Sequence, residues 1–494
     1  MNSTHSARAV ILFELNEVPY RILDWYAREK PSSNIAKFVS ASRQWCTSVE
    51  AAHGRLQPII TWSSLHRGVN DDQHGVSSFG QPLEKADAEY PPIWRILADH
   101  GIKTGVFGSL LSYRIPTDLA NYAFYFPEPL ANDPATHPSY LSPLQEFNLS
   151  MTRKSGRQVT TGVDWKLAAR IIPTLPKLGL TPRTCAVIGR QLLVERIKPH
   201  LKGRRRSVQS ILAFDVFMKC LWQYKPAFST FFTNHVASAQ HRFWAALFPE
   251  DFNDLSYSEE WVTRYQHEIE YAMDVTDAFV GRLLKFLERV PGYTLLVASS
   301  MGQEAFSGQP NDSYLEVEDF PRFMQLVGLG PTAYAQKTAM FPCYAVAVTP
   351  QYVDQFREKL GSIRINGEPI RVEHHDGGYS LLDFDYRNYS GPEFVQINGH
   401  DVSFAEIGIR LVEDEEGVYL SGEHQPEGVL LIYDPLHPHT EHAQRNNVSI
   451  LQIAPTVLRH FGIPIPTYMA ESSLDLVPHN CRFEKAPSDL HYSA

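Results

Sequence analysis

Residues 293–303, YTLLVASSMGQ, decide how this chain folds. Tyr293 to Ala298 form a short apolar run, opened by a Pro291-Gly292 break and too brief for a helix; it reads as a buried strand. The run gives way to Ser299, Ser300, Met301 and Gly302, small or uncharged residues where a strand meets a turn.

Comparable runs lie on either side. RAVILFEL (8–15) reads as a buried strand, as do KPAFSTFFTN near 227–233, the segment 103–108 and EGVLLIYDP from 427. Helical patterns fall at 19–29, at 33–41, along 258–290 and in SILQIAPTVLRHFG, which Gly462 and Pro464 close. Strands alternating with helices imply βαβ units and a mostly parallel central sheet with helices on both faces, an α/β three-layer sandwich. Such sheets carry their chemistry at the carboxyl ends of the strands. Here those ends fall at Glu14 to Glu17, Thr61 to Ser64, Asn234 to His241, Ser299 to Gln303, and His424.

Two segments break the rhythm. Residues 150–206 are basic and helical in pattern, ending in KGRRRS, and read as a cap insertion. Residues 361–422 alternate short strands with Gly, Asp and Asn turns (RINGEPIRVEHHDGGYS, QINGHDVSF) and read as a β-rich insertion. The core is then assembled from 1–149, 207–360 and 423–494. A net charge of −10 over 494 residues argues against a general nucleic-acid binder. No window approaches 18 apolar residues, so no membrane span is expected. Five dispersed cysteines (Cys46, Cys185, Cys220, Cys343, Cys481) without CxxC spacing read as reduced thiols. MNSTHSARAVILFELNEVPY lacks a long apolar region and a cleavage site, so the expected compartment is the cytoplasm.

Taken in order, the strand-end motifs resemble the alkaline phosphatase superfamily, and within it the type I phosphodiesterase/nucleotide pyrophosphatase group. QPIITWSSLHRGVNDDQHGV resembles that group's nucleophile region and IWRILADHGIKTGVFGS the segment after it. FFTNHVASAQHRFW resembles a metal-ligand segment, GEHQPEGVLLIYDP the late ligand histidine and its strand, and ILQIAPTVLRHFGIPIP the closing helix. The resemblance spans residues 9–466 outside the insertions. It implies two zinc-like ions that clamp a phosphate and activate a Thr or Ser hydroxyl, which attacks phosphorus.

Carried over residue by residue, the ligand set is incomplete. The first-strand Asp falls on Asn16 and the nucleophile on Thr61, with Ser63 and Ser64 close by. The Asp of an Asp-x-x-x-His pair falls on Ala237 and its His on His241. An Asp-His pair falls on Ser300 and Met301, and the late His is His424. An amide, a hydroxyl and a thioether are poor ligands for a hard dication, so a two-metal centre is not expected. His241 and His424 leave room for one divalent ion, Zn²⁺ or Mn²⁺, with a third ligand from Asn234, His235 or the HPHTEH run (His437, His439, His442).

Thr61 also suits a helix N-cap. Asn16 would donate to oxyanion charge, while Ser63, Ser64, Asn234 and Ser300 would touch substrate. Glu14 and Glu17 read either as proton carriers or as members of a structural hydrogen-bond network. His374, His375 and Asp376 read as a polar turn. The basic run Lys202, Arg204, Arg205, Arg206 reads as a solvated helix end or a hold on an anionic substrate. The expected activity is hydrolysis of a phosphodiester, phosphomonoester or sulfate ester of a small anionic substrate. A transferase moving the group to a sugar or lipid acceptor, and an inactive anion-binding protein, remain the alternatives.

Overall fold

The computed structural model describes residues 7–49, 56–153, 169, 172–252, 257–308, 313–339, 342–413, 420–439, 444–470 and 474–476. Ten strands position the site: β1 (Ala9–Leu15), β2 (Arg43–Ser48), β3 (Thr104–Phe107), β4 (Tyr122–Phe126), β5 (Phe228–Thr233), β6 (Tyr293–Ala298), β7 (Gly302–Ala305), β8 (Gly422–Gln425), β9 (Glu427–Tyr433) and β10 (Asn446–Ser449). Eight of them form one sheet in the order β10-β2-β9-β6-β1-β5-β3-β4. All run parallel except β9, which is antiparallel to both β6 and β2. β7 and β8 pair antiparallel beside it.

β1 lies at the centre, hydrogen-bonded to β5 and β6. Because strand side chains alternate, Val10 and Leu12 enter one apolar cluster while Ile11 and Phe13 enter another. Both faces are therefore covered, which makes β1 apolar from Ala9 to Phe13 instead of alternating with polar residues. Six helices matter below: α1 (Pro58–Arg67), α2 (Pro182–Ile197), α3 (Arg205–Tyr224), α4 (His235–Leu247), α5 (Glu268–Arg289) and α6 (Ile453–His460). α1 and α6 pack on the Val10/Leu12 face, and α3, α4 and α5 on the Ile11/Phe13 face. Each fully buried aliphatic or aromatic side chain in these layers stabilises the fold by about 1.5–3 kcal/mol. The three-layer α/β arrangement with a mostly parallel sheet is the one the sequence pattern leads one to expect.

A third apolar cluster runs from Leu315 to Ile409 and serves the β-rich part. Strand pairing there begins ahead of residue 361, at Ser313–Val317, which pairs with Ile409–Glu413. This part docks on the core through Tyr379, whose hydroxyl donates to the Phe79 carbonyl. The basic segment before residue 206 contributes α2 and a 3-10 turn, Pro199–Arg204. None of the four described cysteines is in a disulfide, and Cys481 lies outside the described residues. No described helix is long and apolar enough to cross a membrane.

The turn after β6 depends on a close backbone approach. A Cβ on Gly428, at the start of β9, would sit 2.7 Å from both the Ser299 carbonyl and Thr47 Oγ1. Glycine there lets β9 reach β6, and Ser299 N–H donates to the Val429 carbonyl at 2.8 Å.

At the edge of the sheet, just past β4, Glu128 is fully buried. One carboxyl oxygen accepts from Leu111 N–H at 2.6 Å and the other has no partner. Burial raises its pKa to about 8, against a small opposing effect of that hydrogen bond. The folded protein thus holds a proton that the unfolded chain releases above about pH 4.5, so stability falls as pH rises from there to about 8. Glu128→Gln should match the wild type near pH 5 and exceed it by a few kcal/mol near pH 9, as read by urea denaturation at the two pH values.

Candidate functional site

The parity of β1 continues past its end and sorts the polar residues onto the two sides of the rim. Glu14 and Asn16 share the face of Val10 and Leu12 and meet α1: Glu14 Oε1 pairs with His66 Nε2 at 2.8 Å, and Asn16 Oδ1 accepts from Trp62 Nε1 at 2.7 Å. Glu17 turns to the other side, toward α4. Its backbone is left-handed (φ 58°), a conformation that costs a non-glycine residue about 1–2 kcal/mol. Strain of this kind persists where surrounding contacts fix it.

Glu17 is 2 % exposed, and its two oxygens gather four side chains. Oε1 accepts from Asn16 Nδ2 at 2.7 Å, and Oε2 accepts from Gln303 Nε2. His241 Nε2 lies 2.9 Å from Oε2 and His424 Nε2 lies 3.3 Å from it. The two imidazole Nε2 atoms are 3.2 Å apart. His241 comes from the middle of α4, and His424 from β8, where the register sets it opposite Gln303.

The protonation pattern follows from the partners. His241 Nδ1 faces the Gly422 carbonyl at 2.9 Å and His424 Nδ1 the Leu56 carbonyl at 2.7 Å. A carbonyl only accepts, so each Nδ1 carries a proton, and each neutral ring aims its Nε2 lone pair at Glu17. Two lone pairs and a carboxylate repel unless a proton or cation sits among them. Without a cation, a proton does so. Burial alone would lower the pKa of His424, but the Glu17 carboxylate outweighs it and the pKa is raised. Burial would raise that of Glu17, but His424 and then His241 outweigh it and hold the carboxyl well below its ordinary range.

The same three atoms fit a metal. Ligand atoms around a tetrahedral Zn²⁺, with bonds of ~2.0 Å, stand about 3.3 Å apart, close to the 2.9–3.3 Å spacing found here. Two His and one Glu make a catalytic zinc set with one position open, and backbone carbonyls on Nδ1 are the usual outer support. Both imidazole side chains keep about a quarter of their surface exposed, so the cluster opens to solvent.

Other sequence candidates are placed as follows. Thr61 is fully buried, its Oγ1 2.7 Å from Ser300 Oγ. It does not cap α1: the helix begins at Pro58 with Gln57 as N-cap, so the apolar run before Thr61 is helical. The Ser63 and Ser64 hydroxyls donate to the Ile59 and Ile60 carbonyls within α1. Ser64 also meets His74 Nε2 at 3.0 Å, but His74 Nδ1 accepts from Val76 N–H, so Nε2 carries the proton and donates. That pair is no nucleophile and base. Asn234 is exposed and accepts from Asn16 Nδ2 at 2.6 Å.

His235 does not join the cluster. Its Nδ1 bonds Thr233 Oγ1 at 2.7 Å and its Nε2 lies 3.1 Å from both the Ala272 carbonyl and Thr276 Oγ1, in the layer between β5 and α5. Burial lowers its pKa to about 4, keeping it neutral. His437 pairs with Asp434 just past the carboxyl end of β9, at the opposite rim because that strand is antiparallel. His442 lies outside the described residues. His374 bonds Ser380 within the β-rich part. The third side chain grouped with the two histidines is Glu17, which the sequence left open between a proton carrier and a member of a structural hydrogen-bond network. Gln303 was placed at a strand end but given no role, and for the Leu56 and Gly422 carbonyls no sequence signal exists.

No known sequence family matches the chain, and no curated protein matches it in sequence. Among solved structures it is similar to murine ectonucleotide pyrophosphatase/phosphodiesterase 5, at 11% identity and a TM-score of 0.42, over 93% of this chain and 96% of that one. Phosphonoacetate hydrolase from Sinorhizobium meliloti 1021 gives 12% and 0.40 over the same shares. TAB5 alkaline phosphatase gives 9% and 0.37 over 93% and 99%. Overlaps this loose carry no role from those proteins onto a residue of this chain.

Glu14 and His66 are both buried, His66 stacked on Trp62 and edge-on to Trp94, and Glu14 Oε2 has no partner. His66→Leu should destabilise the protein by about 3–5 kcal/mol, because it strands a buried carboxylate. Glu14→Leu added to it should restore much of that loss, which a double-mutant cycle by urea denaturation measures.

Proposed function

We propose that this chain is a hydrolase of the alkaline phosphatase type that acts on a phosphate or sulfate ester and holds one divalent cation on Glu17, His241 and His424. The observation that carries this reading is the convergence of Glu17 Oε2 and the two Nε2 atoms within 2.9–3.3 Å, each ring locked by a backbone carbonyl. A cation there supplies Lewis-acid polarisation of an ester oxygen. Zn²⁺ and Mn²⁺ both suit imidazole and carboxylate donors.

The chain's own groups would divide the remaining work. Asn234, exposed beside Asn16, would present amide donors to the anionic group. Gln303 and Asn16 hold the Glu17 carboxylate in place. Thr61 is the nucleophile the motif order suggests, and Ser300 orients its hydroxyl. Attack requires the rim over Thr61 to open, since the residue is fully buried.

One observation favours a second reading, an anion-binding protein without turnover. Thr61 Oγ1 meets the Ser300 hydroxyl and, at 3.5 Å, the Pro58 carbonyl; neither is a base that could take its proton at neutral pH.

Elemental analysis of the full chain dialysed against Zn²⁺ or Mn²⁺ should find about one ion per chain, falling at least tenfold in Glu17→Gln and His424→Ala. Thr61→Ala should keep the ion and lose about 100-fold or more of the hydrolysis of bis(4-nitrophenyl) phosphate or 4-nitrophenyl sulfate. No bound ion would overturn the metal assignment. An ion without turnover on either ester class would favour the second reading, and full activity in Thr61→Ala would remove it as nucleophile.

A further inference from the structure

The KGRRRS run supplies three consecutive arginines, and the structure neutralises two of them. Arg204 grips Glu268 through two N–H groups at 2.9 and 2.7 Å, and Arg205 grips Glu195 at 2.9 and 2.5 Å. Arg206 has no acidic partner among the described residues. It donates to Ser238 Oγ.

Its surroundings make that costly. Arg206 is half-buried, and burial, then the neighbouring Arg242, pull its pKa well below its ordinary value. A cation drawn from water without a counter-charge is destabilising, and a second guanidinium beside it adds repulsion. Glu268 borders the same space, but Arg204 already occupies both of its oxygens. Between α3 and α4 lies a cleft of about 290 Å³ including its open mouth. Gly203, Arg206, Ser207, Ser238, Arg242 and Tyr271 are among the residues lining it.

We infer that this cleft binds a tetrahedral oxyanion such as phosphate or sulfate, held by the Arg206 guanidinium and the Ser238 hydroxyl, with Arg242 alongside. Guanidinium and hydroxyl donors around a space of that size are the chemistry such an anion needs, and halide is a poorer match to directional N–H and O–H donors. The site is separate from the Glu17 cluster. Ser238 and Arg242 occupy one side of α4, while Gln240 and His241 on the other contact Glu17. It therefore does not depend on the hydrolase reading, and the anion is a second ligand instead of the scissile group.

The test is thermal unfolding of the full chain in a zwitterionic buffer with low-millimolar sodium phosphate or sulfate, against sodium chloride at equal ionic strength. The wild type should gain about 2–4 °C with saturation in the oxyanion series and not in chloride. Arg206→Met should lose the saturable gain, and in anion-free buffer its Tm should equal or exceed that of the wild type, because the uncompensated charge is gone. A merely structural arginine would give a lower Tm instead. Ser238→Ala keeps the charges and should weaken the midpoint several-fold, which covers the case in which Arg206→Met fails to fold. Absence of a saturable gain in the wild type, or an unchanged gain in both variants, overturns the assignment.

Discussion

The Glu17 carboxylate leaves the central strand into a buried setting and has to be balanced there. A charged group withdrawn from water survives only if neighbours replace its hydration. The chain meets that demand with two amide N–H donors from Asn16 and Gln303 and with two imidazoles. Those four side chains come from β1's exit, α4 and the β7–β8 pair, so the packing of three separate elements converges on one anion. The left-handed backbone at Glu17 is explained by the same demand: only that turn sends the carboxylate toward α4 while Asn16 stays on the side of α1.

The rim is consequently divided into two chemical halves. Toward α4 it is ionic and partly open. Toward α1 it is neutral and closed: Thr61 meets Ser300, Asn16 meets Trp62, and Met301 is fully buried beneath them. On that side Glu14 is turned down onto His66. Packing and hydrogen bonds stabilise the strand ends on that side.

The architecture was legible because its signals are local and repeated. Apolar runs such as 9–15 and 293–298 can hardly be anything but doubly covered strands, and the helix breaks at Pro291-Gly292 and Gly462 fall where the elements stop. The segment before Thr61 was harder. Pro58-Ile59-Ile60 is apolar and β-branched and reads as a strand, yet proline at the first helical position starts α1. The donor set was half legible. His241 and His424 follow from motif order, but Glu17 needed knowledge of a left-handed φ that no residue type announces. His235 misled because it directly follows a strand end, where ligands collect; its direction is set by hydrogen bonds to Thr233, Ala272 and Thr276, the last two of them far along the sequence.

The reversed direction of β9 also has a consequence for how the molecule is put together. Because it wedges between β6 and β2, the amino-terminal strand β2 and its neighbour β10 join the sheet only through a segment that begins at residue 427. The residue that completes the imidazole pair immediately precedes that segment. Closure of the sheet and completion of the Glu17 cluster therefore depend on one stretch of chain: a chain interrupted ahead of residue 421 would lack both the wedge and the second imidazole, leaving Glu17 short of half its histidine support and an unpaired strand edge on β6.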